Sequence, residues 1–226
     1  MTPAVVHPRI GARPGGRRAT TWWGRAWVRA VEESAYGEKE QRTGRALARA
    51  GAVGGITVDV GSLVASVEDN LGLWTARVSL PVLDDTSMAA LVEVVAAEAG
   101  RAPALLAGEL PHPLVEHAEE MGVELLPYGG ELDASCTCDA WVDPCVHALA
   151  LLTQATYLLE RDPLVLVHLR GLPRDDLLAR LHERAAPAEP DVAGDADLDV
   201  AVDAAVRAAR VLDLLDDPDA SIDHLF

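Results

Sequence analysis

The spacing of apolar positions changes along the chain, and each period predicts a different element. Trp23, Trp27 and Ala30 recur at i, i+4 and i+7 within Trp22–Glu32, while Arg25, Arg29 and Glu32 point elsewhere. That is the pattern of an amphipathic helix with a core-packing face. From Val53 the period drops to two. Ile56, Val58 and Val60 alternate, Leu63, Ala65 and Val67 do so after Gly61-Ser62, and Trp74, Ala76, Val78 and Leu80 follow Asp69-Asn70-Leu71-Gly72. Short alternating runs parted by Gly, Asn and Asp predict a three-stranded antiparallel meander. Pro81 breaks the last strand. Asp84-Asp85-Thr86 then starts a helix through Met88, Leu91, Val92, Val95 and Ala99 that ends at Gly100.

Two shorter helices are expected over Pro103–Leu110 and Pro113–Met121, each with proline in its first turn, and a short strand over Val123–Leu126. The run from Cys145 to Glu160 carries Ala148, Leu149, Leu151, Leu152, Ala155, Leu158 and Leu159 almost all round, so its helix is expected to be central. A turn or helix with Leu164, Leu166, Val167 and Leu169 follows, then a mildly basic helix from Arg174 to Arg184. The composition of 185–197 is that of a linker. Beyond it Leu198, Val202, Ala205, Val206, Ala209, Leu212 and Leu215 predict one amphipathic helix, suited either to docking a partner or to folding back. The expected class is α+β: a small three-stranded antiparallel sheet, several helices, and a turn bearing Cys136, Cys138, Cys145 and His147 that leads into the central helix. The organisation expected is a flexible basic arm (1–20), an α+β scaffold (21–130), a finger with following helices (131–184) and an acidic linker and helix (185–226).

Charge sharpens this division. The 226 residues carry a formal net charge of −17, unlike a typical nucleic-acid binder. Yet residues 1–60 hold ten Lys/Arg against five Asp/Glu, residues 61–184 seven against twenty, and residues 185–226 two against eleven. Arg9, Arg13, Arg17, Arg18, Arg25 and Arg29 occupy the first thirty residues without one acid. The stretch to Thr20, rich in Pro, Gly and Arg and without apolar periodicity, reads as an arm. It is either a solvated tail or a set of phosphate contacts, with Arg161, Arg170 and Arg174 as further contacts. No secretory signal or membrane-length apolar run is visible, and free thiols fit a reducing interior, so the expected compartment is the cytoplasm.

All three cysteines lie in Ser135-Cys136-Thr137-Cys138-Asp139-Ala140-Trp141-Val142-Asp143-Pro144-Cys145-Val146-His147. C-x-C, six residues and C-x-H supply three thiolates and one imidazole, a full tetrahedral ligand set for one structural zinc ion. Cys136 and Cys138 share a face of an extended segment, and Pro144 fixes the backbone before Cys145 and His147 enter a helix. Buried apolar cysteines or a redox pair are the competing readings, the second weakened by the tightness of C-x-C and the odd cysteine. Four protein ligands leave no position for a reactive water, so a catalytic zinc is not expected. The free ring nitrogen of His147 should donate to a carboxylate or carbonyl, with Asp133, Asp139 and Asp143 as candidates. His112, His117, Glu116, Glu119 and Glu120 also invite a metal reading, but the two histidines do not share a helix face and the cluster is expected to be solvated surface.

The segment CTCDAWVDPCVHALALL resembles the SWIM zinc finger. The resemblance implies Cys136, Cys138, Cys145 and His147 as ligands and Trp141, with Pro144, as packing residues of the finger. Trp22-Trp23-Gly24-Arg25-Ala26-Trp27 and Gly44–Val53 are similar to full-length bacterial SWIM proteins, extending the likeness over roughly residues 20–184. Such proteins are associated with Swi/Snf-type helicase-like ATPases, and the family is viewed as a DNA-binding or protein-interaction module. Many members carry lysine where this chain has Val146, and Arg77 is the only basic residue between positions 50 and 100, which turns the expectation toward a protein partner. The implied function is a zinc-binding adaptor in a DNA-handling assembly with such an ATPase. Direct DNA or RNA binding through the arginine arm and the finger is the alternative. No phosphate loop, nucleophile elbow or paired-carboxylate motif stands in the chain, so neither an enzyme nor a small-molecule substrate is expected.

Overall fold

Alternation at period two does build a sheet, and the sheet is larger than the sequence announces. A computed structural model of the chain describes residues 4–13, 19–185, 200 and 202–208. Strands β2 (Ile56–Asp59), β3 (Ser62–Glu68) and β4 (Leu73–Ser79) form the expected antiparallel meander. Ile56, Val58, Leu63, Ala65, Val67, Ala76 and Val78 are all buried, one face of the sheet. Two more strands extend it to five in the order β1-β2-β3-β4-β5. β1 (Val5–His7) pairs with β2, Val6 opposite Thr57, and β5 (Asp133–Cys136) pairs with β4, Ala76 opposite Cys136.

Both additions correct the sequence reading. Residues 5–13 do not form a free arm, since Val5–His7 is an edge strand and the Arg13 amide donates to the Arg49 carbonyl at 2.8 Å. Three residues are too few to show periodicity, and unpaired backbone groups at the β2 edge supply the driving force. The strand expected over Val123–Leu126 is absent. Val123 and Leu125 are buried there without ladder partners, because their apolar side chains serve the core and not a sheet.

One helix organises the rest. α6 (Val146–Arg161) buries Ala148, Leu149, Ala150, Leu151, Leu152, Ala155 and Leu159, and it packs against the sheet and against α1 (Trp22–Ser34) and α2 (Glu38–Arg49). The α1 face predicted from Trp23, Trp27 and Ala30 is the buried one. Trp23 Nε1 donates to the Leu159 carbonyl at 2.8 Å and Trp27 Nε1 to Leu152 at 3.1 Å. A buried indole therefore keeps its polar edge satisfied while its ring fills the core. Polar α2 has only Gly44 and Ala48 buried. A Cβ at Gly44 would stand 2.7 Å from Leu149 Cβ, so glycine is what lets α2 approach α6 this closely.

α3 (Asp85–Ala96), capped by the Asp84 carboxylate, α4 (Arg101–Leu106), α5 (His112–Glu120) and α7 (Leu164–Leu169) complete this unit, which runs from Met1 to His182. α8 (Arg174–Ala185) follows. Glu183–Phe226 forms a second unit, in which residues 202–208 are helical. Leu198, Ala209, Leu212 and Leu215 of the amphipathic helix expected there lie outside the described residues. Among the described residues no helix is long and apolar enough to cross a membrane.

Candidate metal centre

The ligands come from two elements that meet at one end of α6. Cys136 closes β5, and the pairing runs one residue further, where the Thr137 amide donates to the Thr75 carbonyl at 3.1 Å. Cys138 thereby stands beside Cys136 above the sheet. The chain loops through a cis Asp143–Pro144 peptide to Cys145, the residue capping the α6 N-terminus, and His147 sits in the first turn. Pro144 is buried.

The four donor atoms lie within 4.8 Å of one another. His147 Nδ1 is 3.8 Å from Cys136 Sγ and 3.9 Å from Cys145 Sγ. Tetrahedral zinc with sulfur at ~2.3 Å and nitrogen at ~2.0 Å separates nitrogen from sulfur by about 3.5 Å and two sulfurs by about 3.8 Å, so the donors need draw in by no more than about 1 Å to hold the ion. Burial pushes the Cys145 thiol up to about 12, eased in part by the Ala148 and His147 amides at the helix start. Burial also raises Cys136. Cys138 is drawn below the usual thiol range, because the Ala140 amide, His147 and the two other thiols outweigh its burial. A divalent cation supplies the charge that turns all three into thiolates.

The partner of His147 is a residue the sequence reading passed over. His147 Nε2 donates to Asp69 Oδ2 at 3.1 Å, which leaves Nδ1 free to face the sulfurs. Asp69 belongs to the β3–β4 turn, not to the finger, and replaces the expected Asp133, Asp139 or Asp143. Its Oδ1 accepts from the Leu71 and Gly72 amides at 2.9 and 3.0 Å and from Trp74 Nε1 at 3.0 Å. The Trp74 indole, followed by the Leu71 amide, holds this carboxyl at about 2, well under the usual range. The Trp74 ring lies 5.7 Å from that of His147. The signal was present in Asp69-Asn70-Leu71-Gly72, where an aspartate two residues before an amide makes a tight turn, but a separation of 78 residues hides its second role.

Asp69→Ala is therefore expected to weaken zinc binding about 10- to 100-fold, read by competition with a chromophoric chelator. Unchanged competition would remove Asp69 from the site.

Trp141 departs from its expected role. It is 82% exposed and meets Tyr36, 67% exposed, edge-on with ring centroids 5.2 Å apart. The histidine–carboxylate cluster disperses. His112 pairs with Glu116 at 3.2 Å and packs on Trp22, while His117 faces Arg101. Of the arginines considered for nucleic acid, Arg17 and Arg18 lie outside the described residues. Arg9 binds the Gly51 carbonyl, Arg13 covers the Tyr157 ring at 4.7 Å, Arg25 donates to the Thr20 carbonyl, and Arg29 pairs with Glu33. Arg170 is 2% exposed and is excluded as a contact.

A closed Cys3His cluster at a strand end and a helix start, held by a sheet carboxylate, defines a structural zinc finger. The sequence profile of the SWIM zinc finger matches residues 121–155. Over 193 residues, 82% of this chain and 69% of the relative, the chain is 32% identical to Uncharacterized protein Rv2102 of Mycobacterium tuberculosis (strain ATCC 25618 / H37Rv). No solved structure matches. The chain belongs to the SWIM zinc finger family, and its cofactor is one structural zinc ion.

Proposed function

We propose that the chain is a non-catalytic zinc-stapled adaptor of the cytoplasm that holds a protein partner, a Swi/Snf-type helicase-like ATPase, within a DNA-handling assembly. The observation that carries the reading is the Tyr36–Trp141 pair. The loop bearing Trp141 is tied at one end by Cys138 and at the other by Cys145, both zinc ligands. A large aromatic held out by an anchored loop and braced edge-on by a second ring gives contact area at small ordering cost, the property of interface anchors. The four protein donors fill a tetrahedral shell, which supports a scaffolding and not a reactive role for the metal. The family resemblance supports the ATPase as partner.

The test is a titration of purified chain against the Swi/Snf-type ATPase of the same organism. Trp141→Ala should keep its zinc and lose about 2 kcal/mol of binding or more, roughly 30-fold. Equal binding by the variant, or no binding by the wild type, refutes the adaptor reading.

A further inference from the structure

Folding gathers arginines that the sequence scatters. One cleft of about 600 Å³ lies between α1, α2 and α6 and is lined by Arg25, Arg29, Arg45 and Arg49. A second, of about 640 Å³, runs beside β1, α6 and the start of α8 and is lined by Arg9, Arg13, Arg161 and Arg174. Tyr157 lines both. Among the described residues two carboxylates, Glu32 and Asp162, line them, and each is already engaged. Glu32 pairs with Arg45 at 2.9 Å, and Asp162 accepts from the Leu164 amide at 2.9 Å. Among the described residues no carboxylate lies within 4.0 Å of the guanidinium of Arg9, Arg13, Arg25, Arg49, Arg161 or Arg174. Six guanidinium groups thus stand along these two clefts without a carboxylate partner among the described residues, a local concentration of positive charge in a chain of net charge −17.

We propose that this groove binds the sugar–phosphate backbone of a single-stranded nucleic acid. The charge is spread over two clefts that share Tyr157, which matches a chain carrying one phosphate per nucleotide better than a small anion. Guanidinium forks take phosphate oxygens two at a time. Several are already positioned: Arg9 by the Gly51 carbonyl, Arg25 by the Thr20 carbonyl, and Arg13 by the Tyr157 face, the kind of cationic and aromatic platform on which bases stack. The concave form suits a strand lying in it, whereas reading a duplex calls for an element that projects into its groove. The site is separate from the finger. Tyr157 and Arg161 lie ten and fourteen residues beyond His147 on α6, about 15 and 21 Å along the axis at ~1.5 Å per residue. It is also not the free arm of the sequence reading, because half of its arginines come from α2, α6 and α8.

The experiment uses the full zinc-loaded chain and fluorescence anisotropy with labelled oligothymidylate and oligouridylate of about 16 nucleotides, alongside a duplex of equal length. Single strands should bind more tightly than the duplex. Their affinity should fall with salt by a log–log slope of about −0.7 for each phosphate engaged. The double variant Arg49→Glu/Arg161→Glu should lose about tenfold or more in affinity and flatten the slope by roughly 1.4, with zinc content and thermal midpoint unchanged. Arg77→Glu, an exposed arginine on the sheet that lines neither cleft, should bind as wild type. Preference for the deoxyribose or the ribose strand identifies which polymer the groove serves. Absent single-strand binding, tighter duplex binding, or an equal loss in Arg77→Glu would each overturn the assignment, and none of these bears on the finger's protein partner.

Discussion

Replacing Cys145 by serine is expected to remove the zinc and to lower the thermal midpoint by about 10 °C or more. Cys145 is 3% exposed and caps α6 at its first turn. The ion therefore joins the start of the most buried helix to the last strand of the sheet. In small fingers a structural zinc contributes on the order of 10 kcal/mol to folding, but there the metal replaces nearly the whole core. Here α6 is also held by α1, α2 and the sheet, so the share that appears as stability is nearer ~4 kcal/mol. For a chain of this size each kcal/mol moves the midpoint by roughly 2–4 °C. Two controls isolate the metal. Wild type stripped by a strong chelator should melt where the variant melts, and added zinc should restore the wild type alone. A variant that keeps one zinc per chain by elemental analysis and its full midpoint would falsify the structural-zinc assignment.

How far the sequence spoke depended on whether cause and effect were close together along the chain. The finger was legible because its donors fall within one short stretch whose spacing already contains the geometry. The meander from β2 to β4 was legible because alternation at period two records which face is buried. β5 was legible only as the extended segment that carries Cys136 and Cys138; its membership of the sheet was not, since Asp133–Cys136 is short, its inward residues are small, and its pairing depends on the free edge that β4 offers. α2 was silent. Its inner face is only Gly44 and Ala48, small residues that mark close packing and not an apolar stripe. Asp69 escaped because a turn residue explains itself locally, and its bond to His147 exists only in three dimensions. The arginine clefts were legible only as separate residues: Arg9, Arg13, Arg25, Arg29, Arg161 and Arg174 were considered as contacts, whereas Arg45 and Arg49 join Arg25 and Arg29 only after α2 has docked on α6. Trp141 was misread in the opposite sense. The family resemblance implied a packing residue of the finger, whereas the ring stands 82% exposed and meets Tyr36 edge-on.

Arg170→Ala is expected to destabilise the chain by about 3–5 kcal/mol, although Arg170 touches neither the metal nor either cleft. Its guanidinium forks onto Glu131 at 2.9 and 3.1 Å and also donates to the Leu125 and Pro81 carbonyls at 3.0 and 2.9 Å. The Leu83 amide meanwhile donates to the Arg170 carbonyl. One side chain thus ties α7 to the strand-ending Pro81, to the irregular segment at Leu125, and to the 3₁₀ turn Gly129–Glu131 that leads into β5. The side chains are 2% and 13% exposed, so alanine strands the Glu131 carboxylate where water reaches it poorly, and two carbonyls lose their donor. Arg170→Lys keeps the charge but has no fork to satisfy four acceptors and should recover only part of the loss. Arg170→Met/Glu131→Leu removes both charges together and should be more stable than Arg170→Ala, because the cost lies mainly in the unpaired ion. Denaturant unfolding of the three variants separates these cases, and a double variant no better than Arg170→Ala would place the cost in the lost carbonyl bonds. Since Glu131 lies just before β5, Arg170→Ala should also bind zinc more weakly, coupling a buried ion pair to a metal that it never contacts.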